Sequence, residues 1–353
     1  MGTDIDVLIA EINKKAKDDE LIVKGSALLH RSWQRVTTGS LGIDLALGGG
    51  WPLNSPNEII GQPSSGKTTI AIKTIAANQA IDPNYHAVWV AAEDFDYSWA
   101  QRLGMDLDRV VFVTTNLMEE VYEICLNILE QRATDCLVID SLPHLIPSDE
   151  WDKVMGELSV GRSAYVTNKF MRKATAATRR SLLTVDRPVL LLLINQYREK
   201  IGGYGDPRTT PGGKGKDYAA VTRVEASRIE WLKSGDTKVG QVIKIHVIKN
   251  KSAPPQRTHE LDYYFANSMG HQAGEYDTVR EAWTIATTYD VVERKGAWYH
   301  FDNHKWNGKD KMWDAMRLDP NLVADIELEV RKFVLHQGVP TPAAPSKRPK
   351  KAS

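Results

Sequence analysis

The chain is poor in cysteine. Of 353 residues only Cys125 and Cys136 are cysteines, and neither sits in a C-x-x-C pattern. Both fall in apolar runs, which argues against a disulfide framework or a thiolate metal site and for buried, reduced thiols. Net charge is also missing, with 45 Lys+Arg against 45 Asp+Glu. A nucleic-acid surface would therefore have to be a local basic patch. No apolar run approaches the roughly 18 residues of a membrane helix. The start "MGTDIDVLIAEINKK" has no basic segment ahead of an apolar one, as a secretory signal would. It also has Asp6 where an N-myristoylation motif wants Ser or Thr. The expectation is a cytoplasmic protein with no membrane partner. Hydrophobic residues make up 42% and charged ones 25%, an ordinary globular composition, and the length suits one large domain and a smaller one.

Periodicity then divides the chain. Ile5, Leu8, Ile9 and Ile12 predict an amphipathic helix over roughly 4–17, whose stripe packs either on its own domain or on a neighbouring subunit. From about 55 to 200, short apolar runs ("NEIIG", "AVWVAA", "VVFVT", "CLVID", "PVLLLLIN") alternate with helical patterns. This predicts an α/β fold with a mostly parallel sheet covered by helices on both faces. "VTRVEASRIEWL" and "QVIKIHVIKN", separated by "KSGDTKVG", read as an antiparallel hairpin added at one side. Beyond about 270 comes a smaller α/β unit. Its last helix starts with Asp319 and Pro320, carries Leu322, Val323, Ile326, Val330, Phe333 and Val334 as its stripe, and ends at Gly338. The expected organisation is an N-terminal helix and linker (1–34), a core (35–269), a small domain (270–337) and a Pro/Ala-rich basic tail (338–353) without apolar pattern.

The chemistry starts at "GQPSSGKTT". Gly61, Gly66, Lys67 and Thr68 fit G-x-x-x-x-G-K-[ST] between a predicted strand and helix, the context a phosphate loop requires. The nucleotide is expected on Gly61, Pro63, Ser64, Ser65, Gly66, Lys67, Thr68 and Thr69. The glycines let the backbone N–H groups of this loop turn toward phosphates at a helix N-terminus; proline itself contributes no donor. Lys67 is expected on the β- and γ-phosphates of ATP. Thr68 is expected on Mg²⁺, with Asp140 at the end of "CLVID" as the strand-end carboxylate behind the metal, in the Walker B role. A group that polarises water is needed too. Glu93, ending the strand "AVWVAAE", is favoured over its neighbour Asp94; adjacent strand residues point to opposite faces, so only one of the two can face inward.

Taken in order, "VTTGSLGIDLALGGG", the phosphate loop, "AAEDFDYSWAQRLGMDLD", "VIDSLPHLIP", "LLINQYREKIG", "GDPRTTPGGK" and "VIKNKSAPP" resemble the bacterial-type RecA recombinases. "KGAWYHF" resembles that family's small C-terminal domain, and the similarity spans roughly residues 5–335. The resemblance implies a RecA-like P-loop ATPase core and an ATP-dependent filament on single-stranded DNA. That filament would pair its strand with homologous duplex DNA in recombination and repair. It implies Glu93 as catalytic glutamate and Asp96 and Trp99 as adenine contacts. Gln196 would sense the γ-phosphate, and Lys249 and Lys251 would reach the ATP of the adjacent protomer. The N-terminal helix would join protomers into a helical homopolymer. Repressor and filament-loading proteins are further partner classes the family adds. A hexameric RecA-fold motor or helicase is the alternative reading.

Two segments are expected to hold DNA. One is 153–163, with Val160 and Arg162; the helix after it carries Arg172. The other is 198–215, with Arg198, Ile201, Arg208, Gly212, Gly213 and Lys214. The second is long, glycine-rich and without regular pattern, and from Arg198 to Lys216 it holds five basic and two acidic residues. That suits a phosphate-backbone track. The resemblance gives Val160 and Ile201 the role of apolar inserts between bases. Where the family often ends in an acidic tail, this chain has Lys347, Arg348, Lys350 and Lys351.

Overall fold

The structure, a computed structural model, describes residues 4–17, 21–28, 33–154, 161–178, 187–199 and 208–336. Val160, Ile201, Gly338 and the basic tail lie outside the described residues. The helices are α1 (Asp4–Ala16), α2 (Leu41–Leu47), α3 (Lys67–Ile81), α4 (Tyr97–Arg102), α5 (Met118–Gln131), α6 (Ser148–Trp151), α7 (Arg162–Thr178), α8 (Gly213–Ala219), α9 (Thr278–Thr288), α10 (Lys309–Leu318) and α11 (Pro320–His336). The strands are β1 (Arg35–Val36), β2 (Trp51–Pro52), β3 (Ser55–Gly61), β4 (Ala87–Ala91), β5 (Val110–Val113), β6 (Cys136–Asp140), β7 (Leu190–Gln196), β8 (Arg198–Glu199), β9 (Arg208–Thr209), β10 (Thr222–Ser234), β11 (Thr237–Asn250), β12 (Thr258–Tyr264), β13 (Glu293–Lys295), β14 (Trp298–Phe301) and β15 (His304–Asn307).

Eight strands form the main sheet in the order β12-β11-β10-β3-β7-β6-β4-β5. The six from β10 to β5 run parallel, and β11 and β12 add an antiparallel edge. Alternation along each strand feeds two separate cores. Leu190, Leu192, Ile194, Trp89 and Val138 pack with α2 and α3 on one face. Leu191, Leu193, Val88, Val90, Leu137 and Ile139 pack with α5 and α7 on the other. Burial on both faces is why these strands read as unbroken apolar runs. Cys125 and Cys136 are free and buried, one in each core, and burial pushes both thiols up to about 12.

Strand register sets the site. In β3 and β7, Gly61 pairs with Gln196, and in β4 and β6, Ala91 pairs with Asp140. The carboxyl ends of four strands therefore finish at one edge of the sheet. The β10–β11 hairpin turns at Gly235, whose φ of +58° suits a glycine, with Ser234 opposite Thr237.

The small domain holds α9, the antiparallel sheet β13-β14-β15, α10 and α11. Its core includes Leu41 and Leu45 of α2, so packing crosses the boundary drawn from the sequence near 270. Buried Glu281 of α9 caps α2: Ser40 Oγ and the N–H groups of Leu41 and Gly42 donate to it, at 2.5, 3.1 and 3.2 Å. Gly42 is required for space, since a Cβ there would sit 2.2 Å from the His259 ring.

α1 buries only Asn13. Of its stripe, Ile5 and Leu8 are 56 and 49% exposed and Ile9 and Ile12 half-buried, so the described residues cover it only in part.

Two expectations are corrected. The 198–215 segment is not without regular structure: β8 pairs with β9, Arg198 opposite Thr209, and the segment runs into α8 at Gly213. Glu93 does not end its strand. β4 stops at Ala91, and the N–H groups of Ala92 and Glu93 both turn back to the Asp140 carbonyl, at 2.9 and 3.1 Å.

Candidate nucleotide and DNA site

At the edge where the four strands end lies a cavity of about 650 Å³. Pro63, Ser64, Ser65, Gly66, Lys67, Thr68, Thr69, Glu93, Trp99, Asp140 and Gln196 line it, together with Arg228, Trp231, Gln241, Tyr263 and Phe265. Gly61, expected on the nucleotide, is not among the lining residues; it is buried as the last residue of β3. A Cβ there would meet the Ala226 carbonyl at 2.3 Å, so the loop leaves β3 pressed against β10.

The loop makes two left-handed turns. Gly66, with φ of +97°, leads into α3. Ser64, with φ of +58°, is exposed at the tip. A serine, besides the glycines, thus turns this loop. A non-glycine residue held there costs about 1–2 kcal/mol, a cost the surrounding loop has to offset. Ser65 N donates to the Gln62 carbonyl at 3.3 Å and closes the turn around Ser64. Lys67 is buried and donates to the same carbonyl at 2.9 Å. Burial lowers its pKa, while Glu93 and Asp140 draw it back up.

Thr68 Oγ1 donates to Asp140 Oδ2 at 2.9 Å. Asp140 is buried, and its other oxygen, Oδ1, has no hydrogen-bond partner; the buried Ser65 Oγ has none either. Burial and the charge of Glu93 push the Asp140 carboxyl up to about 7. An acceptor oxygen left open beside a hydroxyl at the foot of a phosphate loop fits a hard divalent cation such as Mg²⁺. Such an ion takes one or two protein oxygens and fills its shell with phosphates and water.

Glu93 Oε1 accepts from two groups, Ser141 Oγ and Gln196 Nε2 at 2.9 Å, and lies 2.9 Å from His144 Nδ1. Asp94 is not among the cavity's lining residues. Asp96, expected near adenine, instead caps α4: its Oδ1 accepts from Trp99 N at 2.9 Å and Ser98 Oγ at 2.8 Å, and the bond from Trp99 holds its carboxyl below the usual range. Trp99 itself lines the cavity.

Sequence reasoning missed the far wall. Trp231 stands opposite Gln241, and Gln241 opposite Tyr263, so one rank of residues crosses β10, β11 and β12. The Arg228 guanidinium lies 4.0 Å from the Trp231 ring centre, and Phe265 meets Trp231 edge-on at 6.2 Å. Only antiparallel register unites these positions, so no local spacing marks them. His144 was also missed.

Lys249 and Lys251 are absent from the cavity. Lys249 pairs with Arg223, which pairs with Glu58, three residues before Gly61 and away from the loop. Lys249 Nζ donates to the carbonyls of Asp217 and Tyr218, and Lys251 Nζ to that of Tyr218 at 3.1 Å. Burial, then Lys251 and Arg223, push Lys249 down to about 8.

Of the DNA candidates, Arg198, Arg208, Lys214, Arg172 and Arg162 are exposed. Arg162 is held by Glu119 at 3.3 Å and Asp149 at 3.5 Å, and Arg208 by Glu225 at 2.8 Å and over the Tyr197 ring. Gly212 and Gly213 have φ of +95° and +75° and open α8. Lys216, counted above with the basic track, is buried and has to be removed from it.

The RecA N-terminal domain family model matches residues 3–270 and the RecA C-terminal domain model residues 281–335. Protein RecA of Leptospira biflexa is 34% identical over 331 residues, covering 93% of this chain and 82% of its own. Protein RecA of Symbiobacterium thermophilum is 33% identical, over 93% of this chain and 91% of its own, and that of Frankia alni 34%, over 91% of each. With its two domains matched in order and the phosphate-loop edge of the sheet assembled as above, the chain belongs to the RecA family.

Proposed function

We propose that the cavity takes ATP with Mg²⁺ and that residues 198–215 take single-stranded DNA, in a chain that is an ATP-dependent recombination protein and DNA-dependent ATPase. The observation that carries this is the bond from Gln196 Nε2 to Glu93 Oε1. It joins the carboxylate facing the expected γ-phosphate to the last residue of β7, two residues ahead of Arg198.

The residues divide the work by position. Loop N–H groups from Ser64 to Thr69 and the Lys67 ammonium hold the phosphates; Thr68 and Asp140 would hold the metal. Bound there, Mg²⁺ would neutralise charge on the β- and γ-oxygens. Glu93 accepts a proton from, or orients, the attacking water. For that, its Oε1 must release at least one of the two donors it now accepts from. A γ-phosphate in the cavity offers Gln196 an alternative acceptor, so nucleotide occupancy pulls on the start of the DNA segment. Trp99 on one side and Trp231, Tyr263 and Phe265 on the other offer ring faces to a base. Arg198, Arg208, Lys214 and Arg172 supply backbone contacts, and base pairing reads the sequence. Val160 and Ile201 belong to this reading as inserts between bases.

The filament over a closed hexameric motor follows from the family; the exposed Ile5 and Leu8 of α1 and the placement of Lys249 and Lys251 off their own protomer's cavity fit either assembly. Both features call for an adjacent copy, and a charge supplied in trans makes hydrolysis depend on assembly. Cytoplasmic location, and repressor and loading proteins as partners, rest on the family alone; among the described residues no helix is long and apolar enough to cross a membrane. The test is a strand-pairing assay with ATP that also records phosphate release with and without single-stranded DNA, beside electron microscopy of the assembly. DNA-stimulated release, pairing and open helical filaments are expected. Closed rings that unwind duplex without pairing would reject the filament.

A further inference from the structure

Lys216 has 1% of its side chain exposed, as has Glu58, its partner at 2.9 Å. Its three N–H groups are all committed: to Glu58 Oε1, to Thr210 Oγ1 at 2.7 Å and to Asp217 Oδ1 at 2.6 Å. An ammonium has no fourth donor and cannot accept, so this lysine has nothing left for DNA. Arg223 completes the group, with Nε on Glu58 Oε2 at 2.6 Å and a second nitrogen on Asp217 Oδ1 at 3.0 Å. Two carboxylates and two cations thus close a neutral cluster. The two cations and the bond from Asn195 outweigh burial and hold Glu58 below the usual carboxylate range.

Each member comes from a part of the molecule with a task. Glu58 stands on β3, three residues before Gly61. Asn195 stands beside Gln196; its Oδ1 accepts from the Gln196 N–H at 2.9 Å, and its Nδ2 donates to Glu58 Oε1 at 2.7 Å and to the Pro211 carbonyl at 3.1 Å. Thr210 and Pro211 close the 198–215 segment. Asp217 lies near the C-terminal end of α8, where its carbonyl and that of Tyr218 receive Lys249 and Lys251. One carboxylate oxygen of Glu58 therefore receives both the strand end that carries Gln196 and the helix whose end holds the two lysines.

We propose that Lys216, through the buried Glu58–Lys216–Asp217–Arg223 cluster, is a positioning residue that locks α8 to the phosphate-loop strand, so that ordering of the DNA segment sets Lys249 and Lys251 for the ATP of the adjacent protomer. Stability alone is a poor account of such a cluster, because buried ion pairs are often matched or bettered by apolar groups of similar volume, whereas they fix one geometry over others. The proposal rests on the reading of 198–215 as the DNA segment and of Lys249 and Lys251 as groups supplied in trans.

The experiment compares full-length wild type, Lys216→Met, Thr210→Val and Lys249→Ala. Read out are thermal melting, affinity for a fluorescent ATP analogue, and kcat and KM for ATP with saturating single-stranded DNA. Lys216→Met keeps the volume and loses the charge. Thr210→Val keeps every charge and removes only the hydroxyl that takes Lys216 at 2.7 Å and Arg223 at 3.4 Å, so it decides the matter even if Lys216→Met does not fold. A small misplacement of groups acting in the transition state costs kcat rather than binding. The expected result is a loss of about tenfold or more in DNA-stimulated kcat for Lys216→Met and about threefold for Thr210→Val. Analogue affinity and KM should stay within about twofold of wild type. Slow turnover in Lys249→Ala with wild-type kcat in Thr210→Val and in folded Lys216→Met overturns the proposal. Wild-type turnover in Lys249→Ala shows instead that the reading beneath it is wrong, and the proposal falls with it.

Discussion

Glu93 and Asp94 are adjacent acids with separate surroundings. Glu93 lines the cavity and shares one oxygen among Ser141, His144 and Gln196; Asp94 lies outside the lining. Replacing Glu93 by Gln keeps the size and removes the base, so DNA-stimulated ATP turnover should fall about 10²- to 10⁴-fold while ATP-dependent DNA binding survives. Asp94→Asn should stay within about twofold in the same phosphate-release assay. Lys67, Thr68 and Asp140 could be picked out from sequence because a loop motif and a strand-end acid are local patterns. The left-handed backbone at Ser64 could not, since serine gives no sign of it and the closure of the loop imposes it. Trp231, Gln241, Tyr263 and Phe265 escaped for another reason: their neighbourhood is made by register across three strands. The partners of Arg162 were equally out of reach, since Glu119 and Asp149 are remote from it in sequence.

At the level of elements, α11 meets the core through charge as well as apolar contact. Arg331 bonds Asp44 of α2 at 2.8 Å, and Glu327 nearby is pushed up to about 7 by burial, then by Glu281, with Arg331 pulling down and Asp44 pushing up. In the unfolded chain a glutamate titrates near 4.3. Between about pH 4.3 and 7 the folded state therefore holds a proton that the unfolded state has lost. The stability this contributes is complete below that window and disappears as pH rises through it. Glu327→Gln is expected to match wild type in urea denaturation near pH 4 and to exceed it by roughly 3–4 kcal/mol at pH 8, since one pKa unit is about 1.4 kcal/mol. A wild type equally stable at both ends of the window, relative to the variant, would show that Glu327 titrates normally. The helix and its stripe were readable from Pro320 and the spacing of Leu322, Ile326 and Val330. The acid's company was not, because Glu281 and Asp44 come from elements 40 or more residues away.

For the whole molecule, an ATP site shared between copies makes a definite prediction about mixtures. Lys67→Ala spoils the phosphate loop of one protomer; Lys249→Ala spoils what that protomer gives its neighbour. Each alone should assemble with little turnover. Mixed one to one, random neighbours restore both halves at about a quarter of the junctions, so about a quarter of wild-type turnover should return. No recovery, with mixed filaments seen by electron microscopy, would mean that Lys249 serves its own protomer. The exposed Ile5, Val7 and Leu8 of α1 and the 72%-exposed Tyr218 belong to the same scale, since no side of this protomer covers them.

Local pattern was enough to establish the α/β alternation, the phosphate loop, the hairpin after it and the small C-terminal unit, because each depends on residues within one or two turns or strand lengths. Which strand ends meet, which basic residues stay in water and which are sealed among carboxylates depended on pairing between elements far apart in the chain, such as Gly61 with Gln196 and Glu58 with Lys216. Lys214 and Lys216 show the difference: two residues apart in a glycine-rich stretch, they look alike in the chain. The fold leaves one in solvent and encloses the other beside Glu58, because one short helix turns their side chains to opposite surroundings.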